Sequence, residues 1–135
     1  MPNSGGGIPP GGFCTAVNCM DGRVQEPVID WLRDHFDVKW VDKITEAGPV
    51  AALVDDNQDV LTAIQRRVQV SIDAHATKGI AIAVHDGCAG MPMNLSIEVE
   101  QEMGREAARK LQTLYPNLPV LALWVGLDGS VTVLD

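Results

Sequence analysis

At 135 residues and a net charge of −8 at pH 7, the chain has room for one domain around one core. Its acidity argues against nucleic acid or an anionic membrane as a partner. Hydrophobic residues make up 46% of it, yet no apolar run reaches the roughly 18 residues of a membrane-spanning helix. Without a basic, then apolar, N-terminal leader the expected compartment is the cytoplasm. The three cysteines, an odd number, point to metal binding or catalysis before a disulfide scaffold.

Residues 1–12 are almost all Gly, Pro, Ser and Asn, and predict a flexible tail ahead of a domain spanning 13–135. The apolar run at 13–18 predicts a first strand, followed by a loop over 19–26. Pro27 suits the first turn of a helix, and Val28, Trp31, Leu32, His35 and Phe36 recur at helical spacing, so 27–36 predicts an amphipathic helix. A second strand is expected over 38–45, closed by Ala47-Gly48-Pro49. Asp55, Asp56 and Asn57 are N-cap candidates for a helix whose apolar stripe runs from Val60 to about residue 76, with Gly79 just after. A third strand follows at 80–84. A loop over 86–93 then leads to a helix over about 94–114 with acids early and bases late, which complements its dipole. A strand at 119–125, a turn at Asp128-Gly129 and a strand at 130–134 complete the chain. The order predicts an α/β three-layer sandwich: a mainly parallel sheet of about four strands, an antiparallel edge strand, and helices on both faces.

Two stretches concentrate the chemistry. Cys19-Met20-Asp21-Gly22-Arg23 and His85-Asp86-Gly87-Cys88 each begin where a short apolar run ends. In open α/β sheets, ligands bind beyond the carboxyl ends of the strands. Two thiols, an imidazole and an Asp/Arg pair are therefore expected to converge at one edge of the sheet. His85 follows Cys19 by 66 residues, about two crossover units, which suits neighbouring parallel strands. Two Cys and one His make a zinc set with a fourth position left for water or a carboxylate. The plainer reading, that both thiols are small core residues, fits poorly with their glycine-rich turns at Gly22, Gly87 and Gly90. Asp21 and Arg23, two apart, pair so that the carboxylate stays ionised. That carboxylate could accept from a zinc-bound water, close the site as a fourth ligand, or form an ordinary loop salt bridge. Cys14 reads as a core thiol, and His35, His75 and the three Trp as packing residues. Asp86 reads as orienting His85 through its ring N–H or as a solvated loop residue. The acidic start of the last helix reads as a solvated face.

Taken together, these motifs resemble the β-class carbonic anhydrases, which carry Cys-x-Asp-x-Arg after the first strand and His-x-x-Cys after the third. Both stand here, as Cys19/Asp21/Arg23 and His85/Cys88, within a match covering about 13–125. Of the family's Arg-Asn-Ala-Gly segment only Ala47-Gly48 remains, Cys88-Ala89-Gly90 replaces Cys-Gly, and a Gly/Pro segment stands in place of a long helical arm. The resemblance implies Cys19, His85 and Cys88 as Zn2+ ligands, and Asp21 and Arg23 as the dyad that gates or orients the fourth ligand. It implies a homodimer or larger assembly. The expected function is zinc-dependent hydration or hydrolysis of a small electrophile, CO2 to bicarbonate or COS or CS2, by a metal-bound hydroxide. The alternative is a non-enzymatic zinc protein whose site is closed by Asp21. A dithiol redox protein would leave His85 idle and lacks Cys-x-x-Cys.

Overall fold

Phe13–Cys19 (β1) and Ile80–His85 (β3) are buried at every residue, as continuous apolar runs in the middle of a parallel sheet should be. The computed structural model describes residues 11–134. Around these two strands the sheet has five members in the order β2-β1-β3-β4-β5, with β2 at Trp40–Glu46, β4 at Val120–Val125 and β5 at Val131–Leu134. β1 pairs in parallel with both β2 and β3, β3 in parallel with β4, and β5 antiparallel with β4. The chain leaves β1 for β2 on one side and then crosses to β3 on the other. The carboxyl ends of β1 and β3 thus flank the topological switch point, where an open α/β sheet forms its binding crevice.

One face carries the helix Gln25–Phe36 (α1), whose Val28 and Leu32 pack on Cys14, Ala16, Ala81, Ala83 and Leu123. The other carries Pro49–Val54 (α2), Gln58–His75 (α3) and Ile97–Leu114 (α4), packed through Val50, Leu53, Ile64, Val68 and Leu111 on Val17, Ile44, Ile80 and Ile82. This is the expected three-layer sandwich. A partly buried polar chain ties α3 to the sheet: Ser71 Oγ and His75 Nδ1 each lie 2.7 Å from Asp42 Oδ2, and Thr15 Oγ1 lies 2.6 Å from Ser71 Oγ and 2.8 Å from Thr77 Oγ1. His75 stacks on Phe13 and His35 on Trp31, so both histidines pack as expected.

Four local readings change. α2 was not expected, because Gly48-Pro49 reads as a strand terminator; here Gly48, at φ +64°, is the N-cap and Pro49 takes the first helical turn, where its missing N–H costs nothing. Lys110 of α4 holds the far end of α2, its Nζ donating to the carbonyls of Leu53 at 2.8 Å and Val54 at 3.2 Å. α3 ends near residue 76 as expected, but its cap is Ala76 itself, in the left-handed region, and not Gly79 three residues on. α4 begins at Ile97, since Ser96 Oγ accepts from Val99 N while Asn94 sits at φ +65°. Glu100 does not join a solvated face: one of its carboxylate oxygens is buried with no partner among the described residues, and burial with the nearby Asp86 charge pushes its carboxyl up. Of the expected tail, residues 1–10 lie outside the described residues, whereas the carbonyls of Gly11 and Gly12 accept from Lys39 N and Trp40 N at 3.0 and 3.2 Å. No helix among the described residues is long and apolar enough to cross a membrane.

Cys14 is fully buried under α1, and burial, with the Asp42 charge adding to it, pushes its thiol up to about 12. Only the thiolate is nucleophilic, so at pH 9 about one molecule in a thousand carries it. Alkylation of the folded protein with iodoacetamide at pH 9, read by mass spectrometry, is expected to leave Cys14 unmodified. Label on Cys14 before unfolding would show that the strand opens.

Candidate metal centre

β1 ends on Cys19, opposite Glu46 of β2, and Met20 N donates to Glu46 O at 2.9 Å, so the cysteine is carried by the last ordered rung of the sheet. The chain then turns. Asp21 caps a short 3-10 turn over Gly22–Val24, its Oδ1 accepting from Arg23 N at 2.9 Å. The Arg23 guanidinium grips the same carboxylate: Nε lies 3.0 Å from Oδ1 and 3.2 Å from Oδ2, and Nη2 2.6 Å from Oδ2. Through its guanidinium and then its backbone N–H, Arg23 holds the Asp21 carboxyl well below the usual carboxylate range.

β3 delivers His85, which is 1% exposed. Its Nδ1 lies 2.8 Å from the carbonyl oxygen of Asp86. A carbonyl only accepts, so Nδ1 carries the proton and Nε2 presents its lone pair. Asp86 therefore does orient His85, but through its backbone and not its carboxylate. Nε2 is buried and has no hydrogen-bond partner among the described residues. An orphaned buried acceptor costs about 1–3 kcal/mol unless something else satisfies it.

What lies near it is two thiols. Cys19 and Cys88 are free, with sulfurs 3.8 Å apart. The ligand atoms of Cys19, His85 and Cys88 all lie within 4.8 Å of one another, the one such group of three among the described residues. Asp21 is not a member of it. Sulfurs at about 2.3 Å from a tetrahedral zinc stand about 3.8 Å apart, so the two thiols already have the separation that ion requires. Donor types, the free Nε2 and the sulfur spacing all fit a metal held by three side chains.

The wall of this cluster is backbone on backbone. A Cβ on Gly90 would lie 2.5 Å from the carbonyl carbon of Ala47 and the nitrogen of Gly48; one on Gly48 would lie 2.5 Å from Gly90 O. The Ala47-Gly48 segment thus braces the loop that carries Cys88. Gly90→Ala is expected to cost about 2 kcal/mol through overpacking and to lower Tm by about 6 °C in a calorimeter scan. An unchanged Tm would mean that the two loops are not in contact.

Beside the cluster lies a cavity of about 10 Å³, bounded by Cys19, His85, Cys88 and the apolar Pro49, Val50 and Met91. That is room for about one water. A groove of about 600 Å³ between α1 and the β4–β5 turn shares no residue with the cluster. Sequence reading missed the residues of α2 here, because Gly-Pro serves as well to end a strand as to begin a six-residue helix. It also missed Gln25, whose Nε2 donates to the carbonyls of Cys19 and Asp21, both at 2.7 Å. No spacing rule would have found that contact.

The sequence matches a family model described as "Putative carbonic anhydrase" over residues 10–135. The chain belongs to this carbonic anhydrase family. No curated protein matches it significantly. Among solved structures it is similar to the β-carbonic anhydrase CafA of Aspergillus fumigatus, at 13% identity and TM-score 0.62, covering 90% of this chain and 74% of that one. It is also similar to one of two tetrameric β-carbonic anhydrases of Sordaria macrospora, at 13% identity and TM-score 0.64, covering 96% and 83%. At such identities these structures share the fold. The cysteines and histidine discussed above fall inside the stretch that carries the carbonic anhydrase family match.

Proposed function

We propose that the chain is a zinc-dependent lyase of carbonic anhydrase type that hydrates CO2 to bicarbonate, or hydrolyses COS or CS2. The observation that carries this is the unpartnered Nε2 of buried His85 beside two free thiols 3.8 Å apart, with Asp21 held by Arg23 outside the group. Cys19 and Cys88 as thiolates and neutral His85 would hold Zn2+, whose charge the two sulfurs balance. Bound there, zinc supplies a Lewis acid that makes water nucleophilic near neutral pH.

The protein's own groups do the rest. Asp86 keeps the His85 proton on Nδ1, so Nε2 stays available and the ring cannot rotate. Arg23 keeps Asp21 ionised, and the carboxylate accepts a hydrogen bond from the attacking water, which aims its lone pair at the substrate carbon. Water adds to CO2, bicarbonate leaves, and one proton passes to solvent. The apolar Pro49, Val50 and Met91 beside the cluster suit a neutral substrate, and the cavity there, with room for about one water, leaves no space for an ester or peptide. Association into a homodimer or larger assembly, as in the tetrameric Sordaria enzymes, and a reducing cytoplasm suited to three unpaired thiols belong to the same reading.

Stopped-flow CO2 hydration by zinc-loaded protein at pH 8.5 tests it. The expected result is a rate above that of buffer, lost on chelation and restored by about one equivalent of zinc. A zinc-loaded protein inert toward CO2, COS and CS2 would leave a metal-binding module in place of an enzyme.

A further inference from the structure

Gln25 opens α1 six residues after Cys19, and its side-chain amide does not point to solvent. Nε2 lies 2.7 Å from Cys19 O and 2.7 Å from Asp21 O. Both contacted atoms are carbonyl oxygens, which only accept, so the amide orientation is fixed with its NH2 group between them. That nitrogen has two hydrogens, and both are used. One side chain thus bridges the backbone of a metal-ligand candidate and the backbone of the residue that bears the carboxylate. The turn between them has other ties: Asn18 Nδ2 donates to Val24 O at 3.1 Å, and Val24 N to Asp21 O at 3.2 Å. The second closes the 3-10 turn on itself, and the first ties the far end of the turn, at Val24, to β1. The Gln25 amide ties its near end, at Asp21, to the last residue of β1.

We propose that Gln25 is a positioning residue of the metal centre. By clamping the Asp21 carbonyl to the Cys19 carbonyl, it holds the Asp21 carboxylate on Arg23 and away from the fourth metal position. The inference rests on Cys19, His85 and Cys88 being metal ligands; it does not depend on the substrate.

Two substitutions isolate the clamp. Gln25→Glu keeps length and shape and suits the first turn of a helix, where a carboxylate is favoured. It replaces two donors by acceptors facing two carbonyl oxygens. Gln25→Met keeps the length and removes the donors. The test uses cobalt(II)-substituted protein, whose visible ligand-field bands report the fourth position, titrated with thiocyanate. Native protein is expected to change its bands as thiocyanate binds. Gln25→Met and Gln25→Glu are expected to keep cobalt and weaken thiocyanate binding about tenfold or more, because Asp21 competes for the position. Adding Asp21→Asn to Gln25→Met is expected to restore the response, a rescue that general loosening of the fold would not give.

Thiocyanate binding of native strength in both single variants would overturn the proposal. So would unfolding of both, which would make Gln25 a folding residue, or failure of Asp21→Asn to rescue. If native cobalt protein itself does not respond to thiocyanate, the open fourth position fails first, and the clamp with it.

Discussion

His85→Ala is expected to lower zinc affinity about a hundredfold and to abolish zinc-dependent CO2 hydration. Metal binding in four-ligand sites contributes about 10–16 kcal/mol, so one ligand of such a set accounts for about 3 kcal/mol, or a factor of about 10². The same substitution is expected to do little to the metal-free fold. It leaves a cavity in a buried position, but it also removes an acceptor that is unsatisfied without metal, and these two terms oppose each other. Thermal scans separate the cases. With chelator present, native and variant should melt within a few degrees of one another. With zinc in excess, native Tm should rise, because a ligand bound only by the folded state stabilises it, and the variant's should not. A rise of equal size in both would remove His85 from the metal set.

Asp21→Asn is expected to reduce kcat about 10²- to 10³-fold while zinc content stays at the native level. The carboxylate lies outside the group formed by Cys19, His85 and Cys88, so the metal should not need it. Its proposed work is to accept a proton donor in the reacting complex, a role whose loss costs about that much. An asparagine of the same shape would offer the Arg23 guanidinium one acceptor in place of two and turn an NH2 toward the water it should orient. Retained turnover would overturn the assigned role, and loss of zinc would mean that Asp21 is itself a ligand.

How far the sequence could be read depends on how each contact is made. β1 and β3 were legible because a strand buried on both faces is an unbroken apolar run with turn residues at its end. That Cys19, His85 and Cys88 come together was legible for the same reason: Cys19 and His85 end those strands, Cys88 lies three residues on, and β1 and β3 prove to be neighbours. α2 was not legible: at six residues it is shorter than the window in which a helical stripe declares itself, and Gly48-Pro49 serves equally to end a strand or begin a helix. The Asn57 cap of α3, its end near 76 and the end of α4 near 114 were legible, whereas the start of α4 was set about three residues early, before left-handed Asn94 and the Ser96 cap, and Gly79 was read as the cap region that Ala76 provides. Contacts through backbone carbonyls were invisible. The residue at 86 orients His85 with an atom that every amino acid has, and Gln25 reaches carbonyls that only the turn brings together. Glu100 looked like one more acid on a solvated helix because burial of a single carboxylate oxygen depends on the packing of α4 over the sheet.

The centre itself is tested most directly by zinc K-edge absorption fine structure on the zinc-loaded protein. Cys19, His85 and Cys88 with one further light ligand predict two sulfur scatterers at about 2.3 Å and two nitrogen or oxygen scatterers at about 2.0–2.1 Å. Three sulfurs would bring in Cys14, which the fold keeps sealed under α1. One sulfur or none would mean that zinc binds elsewhere, and the reading of this site as a carbonic anhydrase centre would be wrong.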